Sequence, residues 1–176
     1  MQDGTLRRAL AAATRDLHET LDRDIGAFGD ARAYGAFLGG SHAFRAAIEP
    51  QLAQVAGWQV QPLAPLIARD LADLGLPLPA TPPALPLPTP AAKAAACYVL
   101  EGSALGGRLL ARRAAALGFG PDHGARHLAA QTASPARWRD FLAWLEAGGF
   151  PAPEAAAAAR AVFGLALRAY GVGALA

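Results

Sequence analysis

The chain has 176 residues, 53% of them apolar and 17% charged, with a net charge of +2. That length suits one domain, residues 1–176, and the composition excludes an intrinsically disordered chain. The charge is too small and too evenly spread for binding to nucleic acid by charge alone. Alanine is abundant and β-branched residues are scarce, which predicts an all-α fold of about six to eight helices. Cys97 is the single cysteine, so no structural disulfide forms within the chain, in keeping with a reducing cytoplasm. The first residues are charged throughout, with no apolar leader, and no run of about 18 uncharged apolar residues exists to span a bilayer. A soluble, cytoplasmic protein with no membrane partner is the expectation.

In chain order, the first predicted helix runs from about Thr5 to Asp24, with Leu6, Leu10, Ala13, Leu17 and Leu21 on one stripe. Gly26 and Gly29 mark a turn. A second helix is expected from Ala31 to Val55, with Pro50 as a point where it kinks or resets. A third covers Leu63 to Leu74, and Gly75 is placed to cap it. Residues 77–90, PLPATPPALPLPTP, are too rich in proline for a helix and read as an extended loop inside one domain. A fourth helix is predicted from Pro90 to Leu117. A short segment with His123 and His127 follows. Another helix opens with Ser134 as cap and Pro135 in its first turn, and the last runs from Pro153 to Tyr170.

The fourth helix holds the unusual feature. Gly102, Gly106 and Gly107 fall within two turns of a strongly helical pattern, at about 1 kcal/mol each relative to alanine. Gly102 and Gly106 stand at i and i+4, so a regular helix presents them on one face, bare of side chains, with Ser103 beside the gap. Such a face admits a flat ligand or a second helix to the backbone. His18 flanks the stripe of the first helix at Leu17, at the edge of its buried face. His123 and His127 have the spacing of a metal pair, but no carboxylate or cysteine completes a site in a recognisable order. No Glu-x-x-His pair of the di-iron bundles and no nucleophile-elbow, Walker or dinucleotide signature occurs in a suitable context.

Tyr98-Val99-Leu100-Glu101-Gly102-Ser103-Ala104-Leu105-Gly106-Gly107 resembles the distal-helix motif of the bacterial heme oxygenases, including those paired with bacteriophytochromes. Ala13-Thr14-Arg15-Asp16-Leu17-His18 resembles the pattern on that family's first helix, whose histidine is the proximal heme ligand. The resemblance implies heme as both cofactor and substrate, held between the first and fourth helices, with His18 on the iron. Glu19 or another nearby acceptor would fix the second ring nitrogen. It implies Arg15 and Arg139 as cations for the propionates, Tyr98 as a propionate hydrogen-bond donor, and Phe163 at the heme edge. Gly102, Ser103 and Gly106, with Gly107, would form the distal, catalytic wall. Ala11 and Ala143 stand where family members carry a basic residue, and no aspartate accompanies the glycines, leaving Ser103 as the hydroxyl there.

The activity implied is oxidative opening of heme by O2 and external electrons to biliverdin, carbon monoxide and free iron. The electrons would come from a ferredoxin- or flavin-reductase-like donor, and a bacteriophytochrome is a candidate acceptor of the product. The rival readings are a heme carrier or sensor on the same fold, and a heme-free helical module whose glycine face packs a partner helix. Arg108, Arg112 and Arg113 form a solvated face suited to an acidic redox partner.

Overall fold

The computed structural model describes residues 5–25 and 27–172, so Gly26 of the expected turn lies outside the described residues. Among them are eight α-helices and one 3-10 turn, and no strand longer than an isolated bridge. Helix α1 spans Thr5–Asp24. Helix α2 spans Ala31–Ile48 and is capped by Asp30, whose carboxylate accepts the Ala33 N–H at 2.8 Å. It stops seven residues short of the expected Val55. Pro50 cannot donate to a helix, and Glu49–Leu52 tightens into a 3-10 turn with that proline in its first turn.

Helix α3 spans Ala64–Asp73. It ends as its sequence suggests, with Gly75 at φ +67° and Leu76 N–H reaching back to Leu71 O at 2.9 Å. The connector that follows has no regular structure, and it is pinned by Leu87, which is buried in the core.

The fourth predicted helix is two. Helix α4 spans Pro90–Gly102 and α5 spans Ala104–Ala116, meeting at Ser103. Ser103 keeps right-handed torsions, φ −61° and ψ −22°, so the chain bends rather than reverses. Its hydroxyl donates to Leu100 O at 2.6 Å, the kind of back-bond to the preceding turn that bends helices. Helix α6 spans Arg126–Thr132, α7 Arg137–Ala147 and α8 Ala152–Ala169. Ser134 forms a turn before α7 instead of capping it, accepting the Arg137 N–H at 3.4 Å, so α7 begins later than its sequence suggests.

Two apolar clusters organise these elements. Leu6 and Leu10 of α1, Phe44 and Ile48 of α2, Phe141 of α7 and the alanines of α4 and α8 form one. Tyr34 and Leu38 of α2, Ile67 and Leu71 of α3, Ala114 of α5 and Leu128 of α6 form the other. Helix α2 contributes to both. The bend at Ser103 carries the chain from the first cluster to the second. Helix α8 packs along both α1 and α4, which have little direct contact with each other.

Candidate functional site

That arrangement leaves a cleft with α8 as its floor and α1 and α4 as its walls. Its empty volume, counting the solvent-filled mouth, is about 690 Å³. His18 and Leu21 line it from α1, Tyr98 and Gly102 from α4, and Phe163 and Tyr170 from the end of the chain. Ser103, Arg45 and Trp138 also line it.

His18 is more than half exposed, and its Nδ1 lies 2.9 Å from Asp22 Oδ2, one turn on. Asp22, rather than Glu19, therefore holds the second ring nitrogen. An imidazole that donates Nδ1–H to a carboxylate keeps Nε2 as a free electron-pair donor. The Phe163 ring packs against the imidazole, with centroids 5.9 Å apart.

On the opposite wall, Gly102 exposes backbone: a Cβ there would meet only the Trp138 ring, at 3.8 Å. Ser103 Oγ accepts from Arg45 Nη2 at 3.1 Å and from Gln131 Nε2 at 2.6 Å. Arg45 is buried and ion-paired to Glu49 at 2.9 Å. Glu49 also accepts the Leu63 and Ala64 N–H groups at 3.0 Å each, ahead of the first turn of α3. The hydroxyl of Tyr170 is 2.8 Å from Ser41 Oγ, and burial raises its pKa. The Tyr98 ring packs tilted against Trp138, with centroids 5.9 Å apart. Burial raises its pKa too, opposed by the positive charge of Arg7 on α1.

The cleft thus gathers His18, Tyr98, Gly102, Ser103 and Phe163 of the residues singled out from sequence. The others stand elsewhere. Arg15 is exposed on α1, one turn before His18. Arg139 points to solvent and pairs with Asp140 at 3.0 Å. Gly106 is exposed, with open space where a Cβ would stand, and does not line the cleft. Gly107 is buried against α6, where a Cβ would come within 2.9 Å of Thr132 Cγ2, so its bareness serves helix packing.

Sequence reasoning missed Arg45, Asp22 and Tyr170. Arg45 carried a signal: it is the one arginine in the apolar stretch from Ala33 to Ile48, with Glu49 one turn on. Cys97 is buried, and burial pushes its thiol up to about 12, which keeps it protonated and unreactive. His127 is buried with Nδ1 on Asp70 at 2.8 Å and no partner for Nε2, and His123 lies 3.6 Å from Asp73.

An all-helical fold that offers an imidazole from its first helix, across a cleft from a helix bent at Ser103 beside the bare Gly102, defines a heme-oxygenase-like class of protein. No family model matches the chain. It is 36% identical over 123 residues to a heme oxygenase of Xanthomonas campestris pv. campestris (strain 8004), covering 66% of this chain and 74% of that one. Its fold matches the heme oxygenase from Neisseria meningitidis, solved with NO and CO bound, with a TM-score of 0.81, 25% identity, and coverage of 98% of this chain and 95% of that one. The chain belongs to the heme oxygenase family.

Proposed function

We propose that this chain is a heme oxygenase that binds heme in the α1–α4 cleft with His18 on the iron, and opens the ring to biliverdin, carbon monoxide and free iron. The observation that carries it is the pairing, in one cleft, of an imidazole whose Nδ1 is occupied by Asp22 with the bare backbone of Gly102. The residues fit the ligand: a neutral nitrogen donor suits heme iron, and Phe163, Leu21 and Phe44 offer apolar surface to a porphyrin. Tyr98, with Arg7 and Arg15 of α1, would receive the propionates.

Heme, when bound, supplies both the metal that activates O2 and the macrocycle that is cut. The protein orients and protects. Asp22 fixes the His18 tautomer, and Phe163 limits the tilt of the imidazole. Gly102 leaves room on the far side for a diatomic molecule and ordered water. Arg45 and Gln131 donate to Ser103 Oγ, whose own proton goes to Leu100 O, so this hydroxyl fixes the shape of the distal wall, and ordered water with backbone carbonyls would carry the protons. The bulk of Trp138 and Phe163 restricts further solvent.

Electrons come from outside the chain, from a ferredoxin- or flavin-reductase-like donor, and a bacteriophytochrome is a fitting acceptor of biliverdin. No helix among the described residues is long and apolar enough to cross a membrane. A cytoplasmic setting suits the sole, buried thiol of Cys97. Residues 1–176 act as one domain: α4, which follows the proline-rich loop, completes the cluster that α1 and α2 begin.

Hemin titration tests this reading. Wild type is expected to give a saturable Soret band of a histidine-ligated complex. Adding ascorbate in air should bleach that band and yield biliverdin absorption. His18→Ala should lose the ligated spectrum and the bleaching while keeping its helical circular dichroism, since His18 lies outside the buried core. An unaltered spectrum in His18→Ala would reject His18 as ligand, and a stable Soret band under ascorbate in wild type would reject turnover.

A further inference from the structure

Helix α5 carries a feature that heme binding does not use. Its 13 residues include three arginines and no acidic residue. Leu105 and Leu109, one turn apart on its outer face, are 64% and 45% exposed. Arg108 and Arg112 form a parallel exposed row, and Gly106, on the far side of the leucines, leaves open space. Beside this face, a groove of about 710 Å³ runs between α5 and the start of α7, lined by Leu105, Arg108, Arg137, Trp138 and Arg139. The carboxylates near it are already engaged: Glu101 is held by Arg137 at 2.6 Å and Asp140 by Arg139 at 3.0 Å. Leu105 and Trp138 line both this groove and the cleft, so they separate the two.

We infer that the α5–α7 groove is the docking surface for an acidic, one-electron donor protein of the [2Fe–2S] ferredoxin class. The inference rests on the heme oxygenase reading. Ring opening consumes electrons that neither heme nor O2 brings. Each encounter would oxidise the donor's cluster by one electron and deliver that electron to the substrate held in the cleft, which is reduced by one electron. A productive surface must therefore lie close to the cleft, and here two side chains part the groove from it. The single sign of charge on α5 selects an acidic partner. Exposed Leu105 and Leu109 give such a partner an apolar contact that water-filled charge pairing alone lacks. Helix α1, by contrast, sets Arg7, Arg8, Arg15 and Arg23 against Asp16, Glu19, Asp22 and Asp24, so the helix as a whole carries no net charge from these groups.

The test uses hemin-loaded full chain with two electron sources, ascorbate and a reduced plant-type [2Fe–2S] ferredoxin regenerated by its reductase. In Arg108→Glu/Arg112→Glu, and separately in Leu109→Asp, KM for ferredoxin should rise about ten-fold at low ionic strength, with a weaker salt dependence in the arginine variant. Ascorbate-driven bleaching should stay at the wild-type rate. An unchanged KM in both variants overturns the assignment. Equal loss with both electron sources also overturns it, because the damage would lie in the cleft. A wild-type dimer that Leu109→Asp dissociates, seen by light scattering, would give this face to a second copy and overturn it as well. Wild type inert to ascorbate would instead remove the heme oxygenase reading on which the inference stands.

Discussion

Single residues decide whether the cleft is open. His18 is more than half exposed, and what distinguishes it from an ordinary surface histidine is its surroundings: Asp22 on one nitrogen and Phe163 against the ring. Gly102 is the opposite case, a residue that acts by having no side chain. Its φ lies outside the left-handed region, and a Cβ would make only ordinary contact with Trp138, so alanine fits there without strain. Gly102→Ala is expected to stabilise the protein by up to about 1 kcal/mol in urea unfolding, from helix propensity, while weakening hemin binding. Gly102→Leu should block binding in the same titration. A Gly102→Leu variant that binds hemin as wild type does would show that this wall does not face the ligand.

At the scale of elements, the α4–α5 bend depends on a buried ion pair one helix away. Arg45 joins Glu49 to Ser103, and Glu49 in turn holds the N-terminal amides before α3. Arg45→Leu leaves Glu49 buried with two N–H donors but no counter-charge. The expected cost is about 3 kcal/mol of unfolding free energy, at the low end for a broken buried pair because those donors remain. Thermal or urea unfolding checks it.

Most helices are legible in sequence because local and global preferences agree. The leucines of α1 repeat at helical spacing, Thr89-Pro90 caps α4, and Gly75 ends α3. The split of the fourth predicted helix is not legible. Ser103 and its neighbours all tolerate α-helical torsions, and the bend comes from a hydroxyl back-bond and from the division of α4 and α5 between two apolar clusters. The direction of Arg139 is equally non-local. Arg137 and Arg139 lie about 200° apart around α7. The buried carboxylate of Glu101, on another helix, selects Arg137 for the interior and leaves Arg139 outside.

For the whole molecule, buried histidines link stability to pH. Burial lowers the pKa of His127, against the opposing hydrogen bond it donates to Asp70, and burial likewise lowers that of His42. Burial pushes the Asp70 carboxyl up, but hydrogen bonds from the His127 side chain and from the amides of His127 and Arg126 outweigh it, holding Asp70 below its ordinary range. The native pair is therefore a carboxylate and a neutral imidazole. As pH falls below about 6.5, the unfolded chain takes up protons on these histidines before the folded one does, so stability is full above that pH and is lost below it. Asp70 adds a further loss with the same sign at and below the ordinary carboxylate range. The melting temperature should fall between pH 7 and 5. His127→Asn, which retains a donor for Asp70 but does not titrate, should fall less steeply, leaving the share of His42. A melting temperature flat across that range would contradict the assignment.

Helix α8 has one last consequence. Because the two jaws of the cleft scarcely touch each other, the gap between them is held from behind, by this bar and by the shorter α7 that meets both. A rigid plate gripped by both jaws would act as a cross-tie, so loading the ligand adds a brace that the polypeptide lacks across the cleft, and opening the plate's ring removes the tie at the moment the products must depart.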